Sequence, residues 1–174
     1  YQEGEIVSGA STITQQLVRQ IVFDYEERTE LTLRRKVKEA ALAWVMTQKY
    51  SKDEILELYL NEAYYGNLAY GVEEASKVYF DKHASDLTLA EAAFLAGLPQ
   101  SPATYDPYNN FAAAKARQRQ VLDLMVRHGD LEPAEADQAF NEPPLSVSDL
   151  ANPDESLRAP HFTVEARRQL AELP

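Results

Sequence analysis

The sequence predicts a mainly α-helical fold, and three observations predict it. Apolar residues return at three- and four-residue intervals, in Ile13, Leu17 and Ile21 and again in Leu33, Val37, Ala40, Ala41 and Trp44. Ser51 with Glu54 and Thr88 with Glu91 stand three residues apart ahead of apolar runs. This is the spacing at which a hydroxyl and a carboxylate satisfy the free amides of a first helical turn. No segment alternates with the period of two that a half-buried strand requires.

Taken in order, the first helix is expected from about Thr12 to Phe23, with Ser11 or Thr12 as its cap. Residues 24–32 are polar and charged and read as an exposed connection. A second helix runs from Leu33 to about Lys49, with Leu33, Val37, Ala40, Ala41 and Trp44 as its apolar face. Ser51 opens a third, carrying Ile55, Leu56, Tyr59 and Leu60. Thr88 opens a fourth, which Gly97 and Pro99 stop. Pro99, Pro102 and Pro107 mark residues 98–110 as a structured loop, Ala112 to Arg127 as a helix ending at Gly129, and Pro133 as the start of a short one.

Residues 141–160 gather Pro143, Pro144, Pro153 and Pro160 among Ser and Asp and read as a linker. Residues 161–174 then begin a following segment. This leaves residues 1–140 as one domain.

Composition narrows the function. The chain has 174 residues, of which 17 are Lys or Arg and 28 Asp or Glu, so its net charge of -11 opposes general affinity for nucleic acid. With no Cys, thiolate nucleophiles and Cys-ligated metals are excluded. His83, His128 and His161 lack metal-site spacing. The longest uninterrupted apolar stretch, Ala40 to Met46, is far short of the roughly 20 residues that span a bilayer.

Against that acidic background, Arg34, Arg35, Lys36 and Lys38 crowd the start of the second helix without an acid among them, and Arg19 and Arg28 precede them. Such a cluster is either a solvated face or an anion site. Arg35 and Glu39 stand one helical turn apart and share a side. Ser11, Thr12, Thr14, Gln15 and Gln16 concentrate hydroxyls and amides where a helix N-terminus is expected, serving as simple caps or as donors to an anion or a sugar. Asn61, Tyr64 and Tyr65 form an aromatic helix end, suited either to a core edge or to carbohydrate.

GASTITQQL at Gly9–Leu17, RKVKE at Arg35–Glu39, ILELYLN at Ile55–Asn61 and RQRQVL at Arg117–Leu122 resemble, in order and separation, four motifs of the peptidoglycan glycosyltransferase domain of class A penicillin-binding proteins, glycosyltransferase family 51. LTLAEAAFLAGLPQSPATYDP at Leu87–Pro107 is similar to an internal helix and loop of the same family. The resemblance implies a lysozyme-like helical domain that polymerises lipid II into β-1,4-linked glycan with inversion, releasing undecaprenyl pyrophosphate. It further implies a parent protein anchored at the outer face of the cytoplasmic membrane, with lipid II and the growing glycan as partners and no nucleic acid. No cofactor is required, although a divalent cation at the pyrophosphate is compatible with the chemistry.

Carried over by motif, Arg19, Arg28, Arg35 and Lys36 become the contacts of the pyrophosphate, Arg19 standing where the family usually has Lys. Ser11, Thr14, Gln15 and Gln16 hold the lipid-linked substrate, and Asn61 and Tyr64 line its cleft. Glu39 is the second acidic residue of the family site, and Arg117 has a structural part. The family's first motif, E-D-x-x-F-x-x-H-x-G, supplies the general base and is not present ahead of Gly9. Glu3 and Glu5 do not lie in that pattern. The expectation is therefore a domain incomplete at its N-terminus and inactive in isolation. Two alternatives stay open, a non-catalytic helical scaffold of the same fold and a lytic enzyme that cuts glycan.

Overall fold

A computed structural model describes residues 11–30, 32–141 and 147–151. Among them the architecture is helical, with one isolated β-bridge between Tyr64 and Tyr70. Two compact units divide the chain, residues 1–63 and 64–174.

The first unit holds α1 (Ile13–Ile21), α2 (Tyr25–Thr29), α3 (Leu33–Lys49) and α4 (Lys52–Glu62). Both α3 and α4 pack on α1. Leu17, Val18, Phe23, Ala43, Ile55 and Ala63 are buried apolar residues of this unit. Each of the larger ones contributes roughly 1.5–3 kcal/mol by leaving water. Capping boxes close the starts of α1 and α4, Thr12 with Gln15 and Ser51 with Glu54.

Two expectations are corrected in this unit. The segment 24–32 is not a plain connection, because Asp24 accepts a hydrogen bond from the Glu27 amide at 2.8 Å and caps α2. Lys38 ties α2 to α3 through Glu27 at 2.6 Å. The stripe assigned as the buried face of α3 is exposed instead, Leu33 at 81% and Trp44 at 66%. What α3 buries is Glu39 and Ala43, the side that carries the acid.

The second unit holds α5 (Val72–Phe80), α6 (Leu89–Gly97), α7 (Pro107–His128) and α8 (Pro133–Asn141), with α7 packed on α6 and α8. Short 3-10 turns occupy Ala84–Asp86, Leu98–Gln100 and Val147–Asp149. Tyr65, Tyr79, Phe94, Leu95, Leu98 and Leu122 form the core. The helix α5 was not expected, since it starts at Gly71 with no side-chain cap. The expected loop 98–110 is shorter than read, since α7 begins at Pro107 and kinks at Asn110. Gly129 ends α7 in the left-handed conformation, φ 82, as its position past Arg127 suggested. Of the proposed linker, Ala151 lies on this unit, its amide donating to Tyr79 O at 2.8 Å. Residues 142–146 and 152–160 of that segment, and residues 161–174, lie outside the described residues.

Arg117 has its role here. Its stem crosses α6 at Gly97, where an added Cβ would stand 2.7 Å from Arg117 Cγ. Gly97→Ala is therefore expected to cost about 1–3 kcal/mol in urea unfolding through overpacking. Arg117→Ala in the same chain should recover most of that loss.

Candidate functional site

The basic cluster is built by the ends of two helices. Thr32 caps α3, accepting from the Arg35 amide at 3.2 Å, which fixes the turn bearing Arg34, Arg35 and Lys36. α1, α3 and α7 have no acid in the first turn, whereas α2, α4, α5, α6 and α8 do, and α3 places Arg34 and Arg35 there instead. Cations at a helix N-terminus add to the positive end of the helix dipole, an arrangement that disfavours the isolated helix and favours an anion.

Glu39 organises these cations. It is fully buried, Arg35 Nη1 donates to its Oε2 at 2.8 Å, and Lys36 Nζ donates to its Oε1 at 2.8 Å. Arg35 Nε reaches the Glu30 carbonyl at 2.5 Å, so the guanidinium fork is held at two points and is nearly buried. Lys36 remains 39% exposed and also donates to Ser11 Oγ, immediately ahead of α1. Gln16 Nε2 donates to the Ser11 carbonyl at 3.2 Å. One chain of hydrogen bonds thus runs from Gln16 through Ser11 and Lys36 to Glu39 and Arg35.

Other sequence candidates have different places. Gln15 accepts from the Thr12 amide at 3.2 Å and belongs to the α1 cap. Arg28 turns back, Nε donating to Phe23 O at 2.8 Å and Nη2 to Gln20 O, so it closes the C-terminal end of α1 and does not join Arg35. Arg19 is half-buried on α1 and makes no hydrogen bond or ion pair among the described residues. Asn61 is exposed in the last turn of α4. Tyr64 belongs to the second unit, where its ring centroid lies 4.7 Å from that of Tyr70.

Thr14 lines a groove of about 610 Å³ with Thr12, Ile13, Tyr50, Lys52 and Leu56, at the corner between α3 and α4. Arg35, Lys36 and Glu39 are not among its lining residues. Sequence reasoning missed the Glu30 carbonyl and the Thr32 cap. The Thr32 hydroxyl three residues ahead of Arg35 was the legible signal for the second.

The transglycosylase family model matches residues 1–126. The chain belongs to the transglycosylase family. The chain is 45% identical over 164 residues to penicillin-binding protein 2D of Bacillus subtilis, covering 94% of the chain and 23% of that relative. It is 46% identical over 143 residues to penicillin-binding protein 1A of Aquifex aeolicus, covering 82% of the chain and 19% of that relative. Its structure is similar to a crystal structure of penicillin-binding protein 1A from Haemophilus influenzae, with a TM-score of 0.53 and 26% identity over 97% of the chain and 20% of that structure. The chain therefore spans about a fifth to a quarter of the length of these relatives.

Proposed function

We propose that this chain supplies the leaving-group side of a peptidoglycan glycosyltransferase that polymerises lipid II into β-1,4-linked glycan. The observation that carries the reading is the sharing of Glu39 by Arg35 and Lys36, with Lys36 extended to Ser11 at the start of α1. In the reaction, the acceptor 4-hydroxyl attacks the anomeric carbon with inversion. The bond from that carbon to the diphosphate breaks, and its electron pair leaves on undecaprenyl pyrophosphate. Cations fixed beforehand stabilise that growing charge without reorganising at the moment of reaction.

Glu39 positions these cations. Each of its oxygens already accepts a charge-assisted hydrogen bond, so the base that takes the acceptor proton is a different carboxylate, for which we propose one in the parent protein's E-D-x-x-F-x-x-H-x-G motif. The same donor set does not fit a divalent cation, because ammonium and guanidinium groups occupy both carboxylate oxygens. Work at the outer face of the cytoplasmic membrane, on a lipid-linked substrate and by an anchored parent, belongs to this same proposal.

The test is lipid II polymerisation by a full-length protein carrying these residues. Arg35→Ala and Glu39→Ala are each expected to slow glycan-strand formation about 100-fold or more, the usual cost of losing a preorganised charge-stabilising group. Binding of a phosphoglycolipid such as moenomycin should fall in parallel. Unchanged polymerisation would contradict the assignment.

A further inference from the structure

The last turn of α5 is completed by residues remote from it in the chain. The final carbonyls of a helix have no partner within it. At this end the Asp81 amide serves Lys77 O, and Asp81 itself lies in the left-handed region, φ 53. Val78 O accepts from Tyr108 Oη at 2.9 Å, and Tyr79 O accepts from the Ala151 amide at 2.8 Å. Ala151 O lies 3.0 Å from the same Tyr108 hydroxyl. Residues 147–151 thus help close α5, while their 3-10 turn packs on α7.

The same groups continue to a strained turn. Asp106, the N-cap of α7, accepts from the Tyr108 amide at 3.1 Å and from Asn67 Nδ2 at 3.0 Å. Asn67 Nδ2 also donates to Tyr79 Oη at 3.0 Å, and Tyr79 Oη donates to Tyr65 O at 2.9 Å. The Tyr79 and Tyr108 rings stack with centroids 5.7 Å apart at 25°. Asn67 and Leu68 have positive φ, 47 and 63, which non-glycine residues keep only where their surroundings fix it. Ala151, Tyr108, Asp106, Asn67 and Tyr79 therefore form one closed ring of bonds.

Tyr108 has a single hydroxyl proton for two carbonyls, so its hold on Ala151 is shared with its hold on Val78. Burial, then the Asp106 charge, pushes this hydroxyl up to about 12, and it stays a donor through the neutral range. We propose that residues 147–151 are a releasable strap, latched by Tyr108, that couples displacement of the chain beyond residue 151 to α5 and to the turn at residues 66–68. When the strap lifts, Tyr79 O loses its donor and Val78 O takes the Tyr108 proton alone. The backbone of Tyr79 is then less restrained, and the turn held by its hydroxyl opens more often. The helix α5 is suited to respond, because Gly71 gives its other end no side-chain cap. This coupling lies within the second unit and does not depend on an anion site at α1 and α3.

Native-state hydrogen exchange of the whole chain, followed by NMR at single amides, tests the coupling. Tyr108→Phe keeps the stacked ring and removes the latch. Ala151→Pro keeps Tyr108 and removes the donor to Tyr79 O. Each is expected to speed exchange of the Tyr65, Ala69 and Asp81 amides about three- to tenfold, the equivalent of one neutral hydrogen bond. The Ala92 amide of α6 and the Ala136 amide of α8 are the references and should keep their rates. Circular dichroism checks that each variant is folded. Acceleration at Ala151 alone in Tyr108→Phe would show a strap without coupling and overturn the proposal. Equal acceleration at Ala92 and Ala136, or loss of the folded state in both variants, would mean a general loss of stability and overturn it too. Unchanged rates at Tyr65, Ala69 and Asp81 in folded Ala151→Pro would do the same.

Discussion

Replacing Arg35 with alanine is expected to weaken binding of inorganic pyrophosphate to this chain by about ten- to hundredfold, the equivalent of one hydrogen bond to a charged group. The effect has two parts. A guanidinium is lost, and Glu39, left buried with Lys36 as its remaining cation, then holds that ammonium away from the ligand. Lys36→Met should give a loss of similar size, since Lys36 is the more exposed of the two cations. Arg35→Lys should not restore the site. Arg35 serves Glu30 O through Nε and Glu39 through Nη1 at once, and a single ammonium lacks that planar fork. Calorimetric titration at two salt concentrations checks both variants, and wild-type affinity should fall as salt rises.

Glu39→Ala is expected to cost about 3–5 kcal/mol in urea unfolding, because it leaves two cations facing a buried cavity without their counter-charge. Replacing Arg35, Lys36 and Glu39 together by methionine should recover much of that stability, since exchanging all members of a buried ion cluster for apolar side chains is often neutral and only Lys36 here is partly exposed. The triple variant should nevertheless bind no pyrophosphate. A folded protein without an anion site would show that the cluster serves binding, and that packing alone does not require it.

Much of this arrangement was legible in the chain. The limits of α3 follow from its periodicity, and the capping boxes of α4 and α6 from hydroxyl-to-acid spacing, whereas the Thr12–Gln15 box of α1 was not read. Adjacent hydroxyls at 11 and 12 were indistinguishable by type, yet Thr12 caps α1 and Ser11 meets Lys36. No periodicity rule would have buried Glu39 while leaving Leu33 and Trp44 in solvent, because such a rule assigns the inward face to the apolar stripe. Ionic bonds from neighbouring residues compensate the buried carboxylate here. The short helix α2 carries an Asp24-to-Glu27 cap signal but too few residues for a period, and α5 starts on a glycine with no side-chain signal at all.

In the proposed function, an anion with two phosphate groups sits against Lys36 and Arg35 where α1 and α3 begin. Side-chain NMR of the chain labelled at Lys and Arg, titrated with inorganic pyrophosphate, tests it most directly. The Lys36 Nζ and Arg35 Nη resonances and the amides of residues 11–14 are expected to shift together along one saturation curve. Shifts confined to exposed cations such as Arg34 and Lys49, with Lys36 and Ser11 unmoved, would contradict it.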